Sequence, residues 1–249
     1  MNLKNCLAAI ACASLATASA FAAETTNSWE SSIGAGLTVT KGNSDTLMAN
    51  ANFLSLKKWD RNELSFGGDA TYGEAEFEQD NGETDDEVTA QNFRAFMQYN
   101  RLFTERLFGY LRVDGLHDDI ADIDYRFSFS PGLGYYFIKN DRTFLRAEVG
   151  PGYVIEKQGG ETDDYMTLRI AERFEHKLSG TAKLWQSLEF LPQVDDWENF
   201  IVNAEIGIEA MISKSLSLRT YLQDTYDNEP APGRDENDLK LFSGISYKF

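Results

Sequence analysis

Cysteine is nearly missing from this sequence. Its two cysteines, Cys6 and Cys12, both fall in an opening stretch that carries Lys4, the apolar run "CLAAIACASLATASA" and then Ala20-Phe21-Ala22. A positive n-region, a short apolar h-region and a small-x-small site are the marks of a secretory signal peptide. Residues 1–22 are therefore expected to be cleaved, leaving residues 23–249 as one mature domain. Ala9-Ile10-Ala11 before Cys12 is a poor lipobox. A mature chain without thiols has no disulfides, no zinc–thiolate centre and no cysteine nucleophile. Positive charge is scarce as well: 23 Lys and Arg stand against 40 Asp and Glu, and loss of Lys4 takes the net charge from −17 to −18. So acidic a chain is no partner for nucleic acid. Nor does any stretch after residue 23 approach the ~20 apolar residues of a membrane helix. That absence excludes a helical membrane protein but not a barrel, whose strands alternate lipid-facing and lumen-facing residues.

What the chain does have is alternation. "SSIGAGLTVT" places Ile33, Ala35, Leu37 and Val39 on one face, and "ELSFGGDATYG" does the same with Leu64, Phe66, Ala70 and Tyr72. About twelve such segments recur, and no amphipathic helix interrupts them. "TLRIAERFEHKL" contains good helix formers, yet its parity fits a strand and it is read as one. An even number of strands, mostly ~9–11 residues long, predicts an all-β fold: a closed antiparallel up-and-down transmembrane β-barrel. Closure follows because lipid offers no partner to an open sheet edge.

A soluble sandwich or lipocalin-like barrel shares the same period. Two features oppose it. The non-apolar faces carry Asp69, Arg94, Arg112, Arg126, Arg146, Glu148, Arg169, Arg173, Glu205, Glu209 and Arg219, and aromatic residues crowd the strand ends of the apolar face. Connections alternate too. "KKWDRN", "NRLFTER", "IKNDR", "HKLSG" and "ISKS" read as short periplasmic turns. "EAEFEQDNGETDDE", "LHDDIAD", "EKQGGETDD", "QVDDWEN" and "DNEPAPGRDEND" read as long external loops. Pro131 and Pro151 fall nearly opposite each other on adjacent strands, and a bulge or bend is expected where both ladder donors are missing. In the last strand, "LKLFSGISYKF", Gly244, Tyr247 and Phe249 match the spacing of the C-terminal signal read by the barrel-assembly machinery. Phe242 departs from that pattern, and Lys240 and Lys248 are expected to turn inward.

Three stretches, "GAGLTVTKGNSDT", "DIDYRFSFSPGLGYYF" and "FLRAEVGPGYVIEK", resemble the YdiY-like family of salt-induced outer-membrane proteins, classed as a domain of unknown function. The resemblance spans essentially the whole mature chain. Its most specific pieces are the Gly42-Asn43 turn and the glycines Gly132, Gly134, Gly150 and Gly152. It implies a bacterial outer-membrane location, with outer-membrane lipid and lipopolysaccharide as surroundings, and brings no catalytic residues with it.

The candidate functional residues are the lumen-facing set Arg94, Arg112, Arg126, Arg146, Glu148, Arg169, Glu205, Glu209 and Arg219. As a basic ladder along a pore wall they would favour small anionic solutes. As partners of Glu148, Glu205 and Glu209 they would instead lock a plugged lumen. The function expected is therefore channel-like or a structural, stress-related envelope role, with no cofactor and no metal. "QDNGETDDE" has cation ligands without the spacing of an EF-hand loop and reads as a solvated loop. The alternative is a rim-active hydrolase built on His117 with Asp114, Asp118 and Asp119. No serine partner or second acidic pair accompanies it, so no enzyme is expected. His176 is placed in a periplasmic turn and read as inert.

Overall fold

The computed structural model describes residues 28–40, 45–78 and 84–249. The expected signal peptide and the Gly42-Asn43 turn lie outside these residues. The described chain forms twelve strands: β1 (Trp29–Thr40), β2 (Asp45–Trp59), β3 (Asn62–Glu78), β4 (Thr84–Leu102), β5 (Leu107–Asp118) and β6 (Ile123–Lys139). There follow β7 (Thr143–Gln158), β8 (Glu161–Lys177), β9 (Ala182–Pro192), β10 (Phe200–Met211), β11 (Leu216–Asp227) and β12 (Asn237–Lys248). Each pairs antiparallel with its sequence neighbours, and β1 pairs with β12 to close the barrel.

Burial is inverted relative to a soluble protein. Leu37 and Leu241 are 63% and 65% exposed, whereas Arg112 and Glu148 are 6% and 4% exposed. The apolar face of the strands therefore points out and the charged face in, as a lipid-spanning barrel requires. Aromatic contacts gather in two belts on the outer surface, where rings with one apolar and one polar side settle at membrane interfaces. Near the short turns Trp29 meets Phe66 (5.5 Å), Tyr135 meets Phe137 (5.1 Å) and Tyr247 stacks on Phe249 (6.2 Å). Near the other end Phe200 bridges Phe190 and Tyr226 at 5.6 and 5.7 Å.

The strands are longer than expected, from 11 residues in β9 to 19 in β4. Much of what reads as acidic loop is strand: "EAEFEQDNGETDDE" belongs to β3 through Glu78 and to β4 from Thr84. "EKQGGETDD" shrinks to a turn at Gly159 (φ 60°) and Gly160 (φ 80°) between β7 and β8. The physical reason is that antiparallel pairing needs no lipid; the ladder continues into water once both faces become polar. His176 likewise lies in β8, not in a turn, with Nδ1 2.9 Å from the Thr143 hydroxyl.

The two prolines do interrupt the wall, though without a bulge. β6 and β7 pair at Phe129↔Tyr153 and again at Leu133↔Val149, so the register is kept across the gap. The three missing partners are those whose bridges need the N–H of residue 131 or 151, which proline lacks. The strands stay close there: a Cβ on Gly150 would sit 2.1 Å from the Pro131 carbonyl oxygen. The β1–β12 ladder is short as well, running from the Ser31–Phe249 hydrogen-bonded pair to Gly36↔Gly244. Gly150→Ala should destabilise the barrel by about 1–3 kcal/mol through this backbone clash, read as a lower urea midpoint in lipid vesicles; an unchanged midpoint would show that the gap absorbs a methyl group.

Candidate functional site

The even-numbered residues of β4 to β7 and the odd-numbered residues of β8 to β11 face the interior, because a strand's side chains alternate. That parity brings arginines and carboxylates of neighbouring strands side by side. At the centre Arg169 donates Nη1 to Glu148 Oε2 (2.8 Å) and Nε to Glu189 Oε1 (2.6 Å). Glu148 also accepts from Gln98 Nε2 (3.0 Å) and lies 3.3 Å from Arg146 Nε. Arg112 grips Asp114 through Nε (2.8 Å) and Nη2 (2.5 Å) and donates Nη1 to the Gln98 side-chain carbonyl (3.1 Å). The result is one connected layer across β4, β5, β7, β8 and β9, its members mostly buried.

Further networks lie above and below it. Toward the longer loops, Arg126 pairs with Glu156 and reaches across the lumen to Asp227 on β11 (3.4 Å). Toward the short turns, Arg173 lies 3.1 Å from Glu175 and 3.7 Å from Glu205, which also accepts from Trp185 Nε1 (2.5 Å). Glu209 takes Lys183 (3.2 Å) and Lys248 (3.1 Å). Arg219 lies over the Trp185 ring at 4.6 Å, and Arg94 stands opposite Asp69 in the β3–β4 ladder.

An apolar plug that charge patterning does not announce fills the turn end of the interior. Phe108, Tyr110, Tyr136 and Phe144 are buried together against Leu102, and Tyr136 donates its hydroxyl to Glu63 (2.6 Å). Gly134 makes room for it, since a Cβ there would lie 2.1 Å from the Phe108 ring. The signal for it lies in the sequence as glycines on the inward parity of β6, facing large inward rings on β5.

Two cavities flank the central layer. One of about 120 Å³ opens toward the longer loops and is lined by Arg94, Arg112, Arg126, Arg169 and Arg234 together with Asp114, Asp118, Glu189, Asp227, Asp235 and Asp238. The other, about 50 Å³, lies on the turn side beside Lys58, Glu63, Arg146 and Arg173. Arg112, Arg169 and Glu189 line both, so the central layer is the wall between them. The β11–β12 connection covers the larger cavity: Pro230, Arg234 and Asp235 line it. This cover is anchored by Asn228 Nδ2 to the Glu198 carbonyl (2.6 Å) and by Asn199 Nδ2 to Glu229 (3.2 Å).

The His117 cluster assembles only in part. Outward parity puts His117 with Asp119 (3.2 Å) and the Asp124 carbonyl (2.8 Å). Asp114 is inside with Arg112, and Asp118 caps the N–H groups of Ile120 and Ala121 at 3.1 and 3.0 Å. Geometry thus lends the hydrolase no support. Tyr247 and Phe249 face outward at the turn end, and Gly244 lies at the β1–β12 contact, where a Cβ would sit 2.4 Å from the Ala35 carbonyl oxygen.

The fold and its inverted burial define a closed twelve-stranded barrel of the outer-membrane kind. The chain belongs to the family described as "Protein of unknown function, DUF481", matched over residues 33–249, the family its YdiY-like stretches indicated. Among solved structures it is similar to the NanC porin, with TM-score 0.54 and 7% identity over 88% of this chain and 100% of that one. A bacterial polysaccharide outer membrane secretin gives TM-score 0.47 and 10% identity over 90% and 99% of the two chains. The KdgM porin gives 0.47 and 6% over 89% and 99%. No curated protein matches the chain. The likeness to the NanC porin is one of fold.

Removing Arg169 would leave Glu148 and Glu189 buried without their shared cation. Arg169→Ala should cost about 3–5 kcal/mol of stability, and Arg169→Lys should recover little, since one ammonium does not reproduce a planar fork joining two carboxylates. Urea unfolding followed by the tryptophan fluorescence of Trp185 and its neighbours measures both; equal stabilities for wild type and Arg169→Ala would refute the layer's structural weight.

Proposed function

We propose that this protein is a non-catalytic, channel-like barrel of the bacterial outer membrane, shut halfway along its lumen by the Arg112–Arg169–Glu148–Glu189 layer. The observation that carries this reading is the division of the interior into two cavities on either side of one ion-paired layer. The longer loops face outward and the short turns face the periplasm, the usual habit of such barrels. Tyr247 and Phe249 then lie at the inner interface, exposed to lipid, where the assembly machinery meets the last strand. Lipopolysaccharide surrounds the opposite belt.

The arginine series has a closing role first and a selecting role second. A guanidinium already paired to a carboxylate has its field largely cancelled and attracts a passing anion weakly. The larger cavity reflects this, with its arginines Arg94, Arg112, Arg126, Arg169 and Arg234 offset by the acidic residues that line it with them. Small anionic solutes gain an advantage only when the carboxylates of the layer are neutralised or swing aside.

Planar-bilayer recording tests the reading. The wild-type barrel should conduct poorly and with little ion preference. Glu148→Gln with Glu189→Gln, which leaves Arg112 and Arg169 short of partners, should raise conductance and move the reversal potential toward anion selectivity. A double variant that folds yet stays silent would point to a structural barrel without transport.

A further inference from the structure

Most interior cations of this barrel have a carboxylate close by. Arg112, Arg126, Arg146, Arg169, Arg173 and Lys183 each lie within ion-pair distance of a carboxylate. Lys240 does not. It sits on β12 with inward parity, is 4% exposed, and its Nζ has no hydrogen-bond partner among the described residues. Directly across the β11–β12 ladder stands Gln223, 3% exposed, whose Nε2 is also without an acceptor among them. An ammonium and an amide N–H of one cross-strand pair thus face the interior with no described group to receive them. A buried charge with no counter-ion is among the costliest arrangements in a protein interior.

The wall beside this pair is also the least closed. The β1–β12 ladder ends at Gly36↔Gly244, while β1 continues to Thr40 paired with β2 and β12 begins at Asn237 paired with β11. Continuing the register would set Lys240 against Thr40, within the stretch that no β1–β12 bridge closes. The outward residues flanking that stretch, Leu37, Leu239 and Leu241, are exposed and apolar. Just below Lys240 on the inner face, Phe242 stacks on Tyr221 at 4.9 Å.

We propose that Lys240 and Gln223 form a binding point for an oxyanion, a carboxylate, phosphate or sulfate group, beside an incompletely zipped seam between the first and last strands. One positive charge with a neighbouring amide donor matches a group that offers one negative charge on two or more oxygens. The oxyanion comes either from a soluble solute within the lumen or from the head of an amphiphile whose chain stays in the lipid beside Leu239 and Leu241. The site does not depend on conduction, so silence in a bilayer recording leaves it standing.

The test uses the folded full-length barrel in neutral detergent, with the unfolding midpoint followed by tryptophan fluorescence while inorganic phosphate or dodecyl phosphate is added. At least one anion should raise the wild-type midpoint, by roughly 3–6 °C for each tenfold of ligand concentration above the dissociation constant. Lys240→Met should abolish that response and, without anion, should itself raise the midpoint, a sign opposite to that of a merely structural lysine. Lys240→Arg should keep the response, and Gln223→Leu should weaken it should Lys240→Met fail to fold. A response to inorganic phosphate assigns the oxyanion to a soluble solute; a response to dodecyl phosphate alone assigns it to a membrane amphiphile reaching through the seam. Equal responses in wild type and Lys240→Met, or none to either anion in wild type, would overturn the site.

Discussion

The Arg169 guanidinium binds Glu148 on one neighbouring strand and Glu189 on the other, and through Glu148 it is tied to Arg146 and Gln98. These contacts tie three successive strands, β7, β8 and β9, together on the lumen side of the wall, and the Gln98 link extends them to β4. The pair distances are those of charge-assisted hydrogen bonds, and the groups are too buried for salt to screen them well. Arg112, Arg169 and Glu189 of this layer line both the larger and the smaller cavity, so the charges that remain in each are set against the same ion pairs. A barrel of twelve strands is narrow enough for side chains of opposite walls to meet, as Arg126 and Asp227 do.

Closure against lipid explains why so much charge is inside. The outer face has to be apolar over the membrane's thickness, and polar groups of the alternating strands are left with only the lumen. There they either meet water or meet each other. Here they largely meet each other, and where they do not, rings fill the space. Phe108 and Tyr110 pack over the inward glycines Gly134 and Gly132, whose substitution would block them, and Phe108 lies 4.8 Å from Tyr136. The interior thus combines an ion-pair network with an aromatic plug, the two joined by the Tyr136–Glu63 hydrogen bond.

Much of the architecture is legible in the chain itself. Period-two alternation is a local property, so strand number, parity and the inward orientation of Arg112 or Glu148 can be read from neighbours along the sequence. Loop extents cannot: "EAEFEQDNGETDDE" looks like loop because it is acidic, but pairing between strands decides where a hairpin turns. The Pro131–Pro151 coincidence is legible by hairpin counting, yet its outcome, a gap without a bulge, depends on how closely Gly150 lets the strands approach. The His117 cluster is split for a related reason. Sequence proximity puts Asp114 and Asp118 beside it, whereas strand parity puts them on the other face.

By itself, the sequence determined that this chain builds an inside-out barrel, because one face of each strand can only be buried in lipid and the other only in the lumen. Which charges meet inside was decided by the tertiary structure. Ion pairing depends on register between strands that are far apart in sequence, on barrel width and on the space left by glycines. The same strand parity turns Arg169 and Lys240 inward. Only the closed barrel gives one of them two carboxylates and leaves the other with none among the described residues.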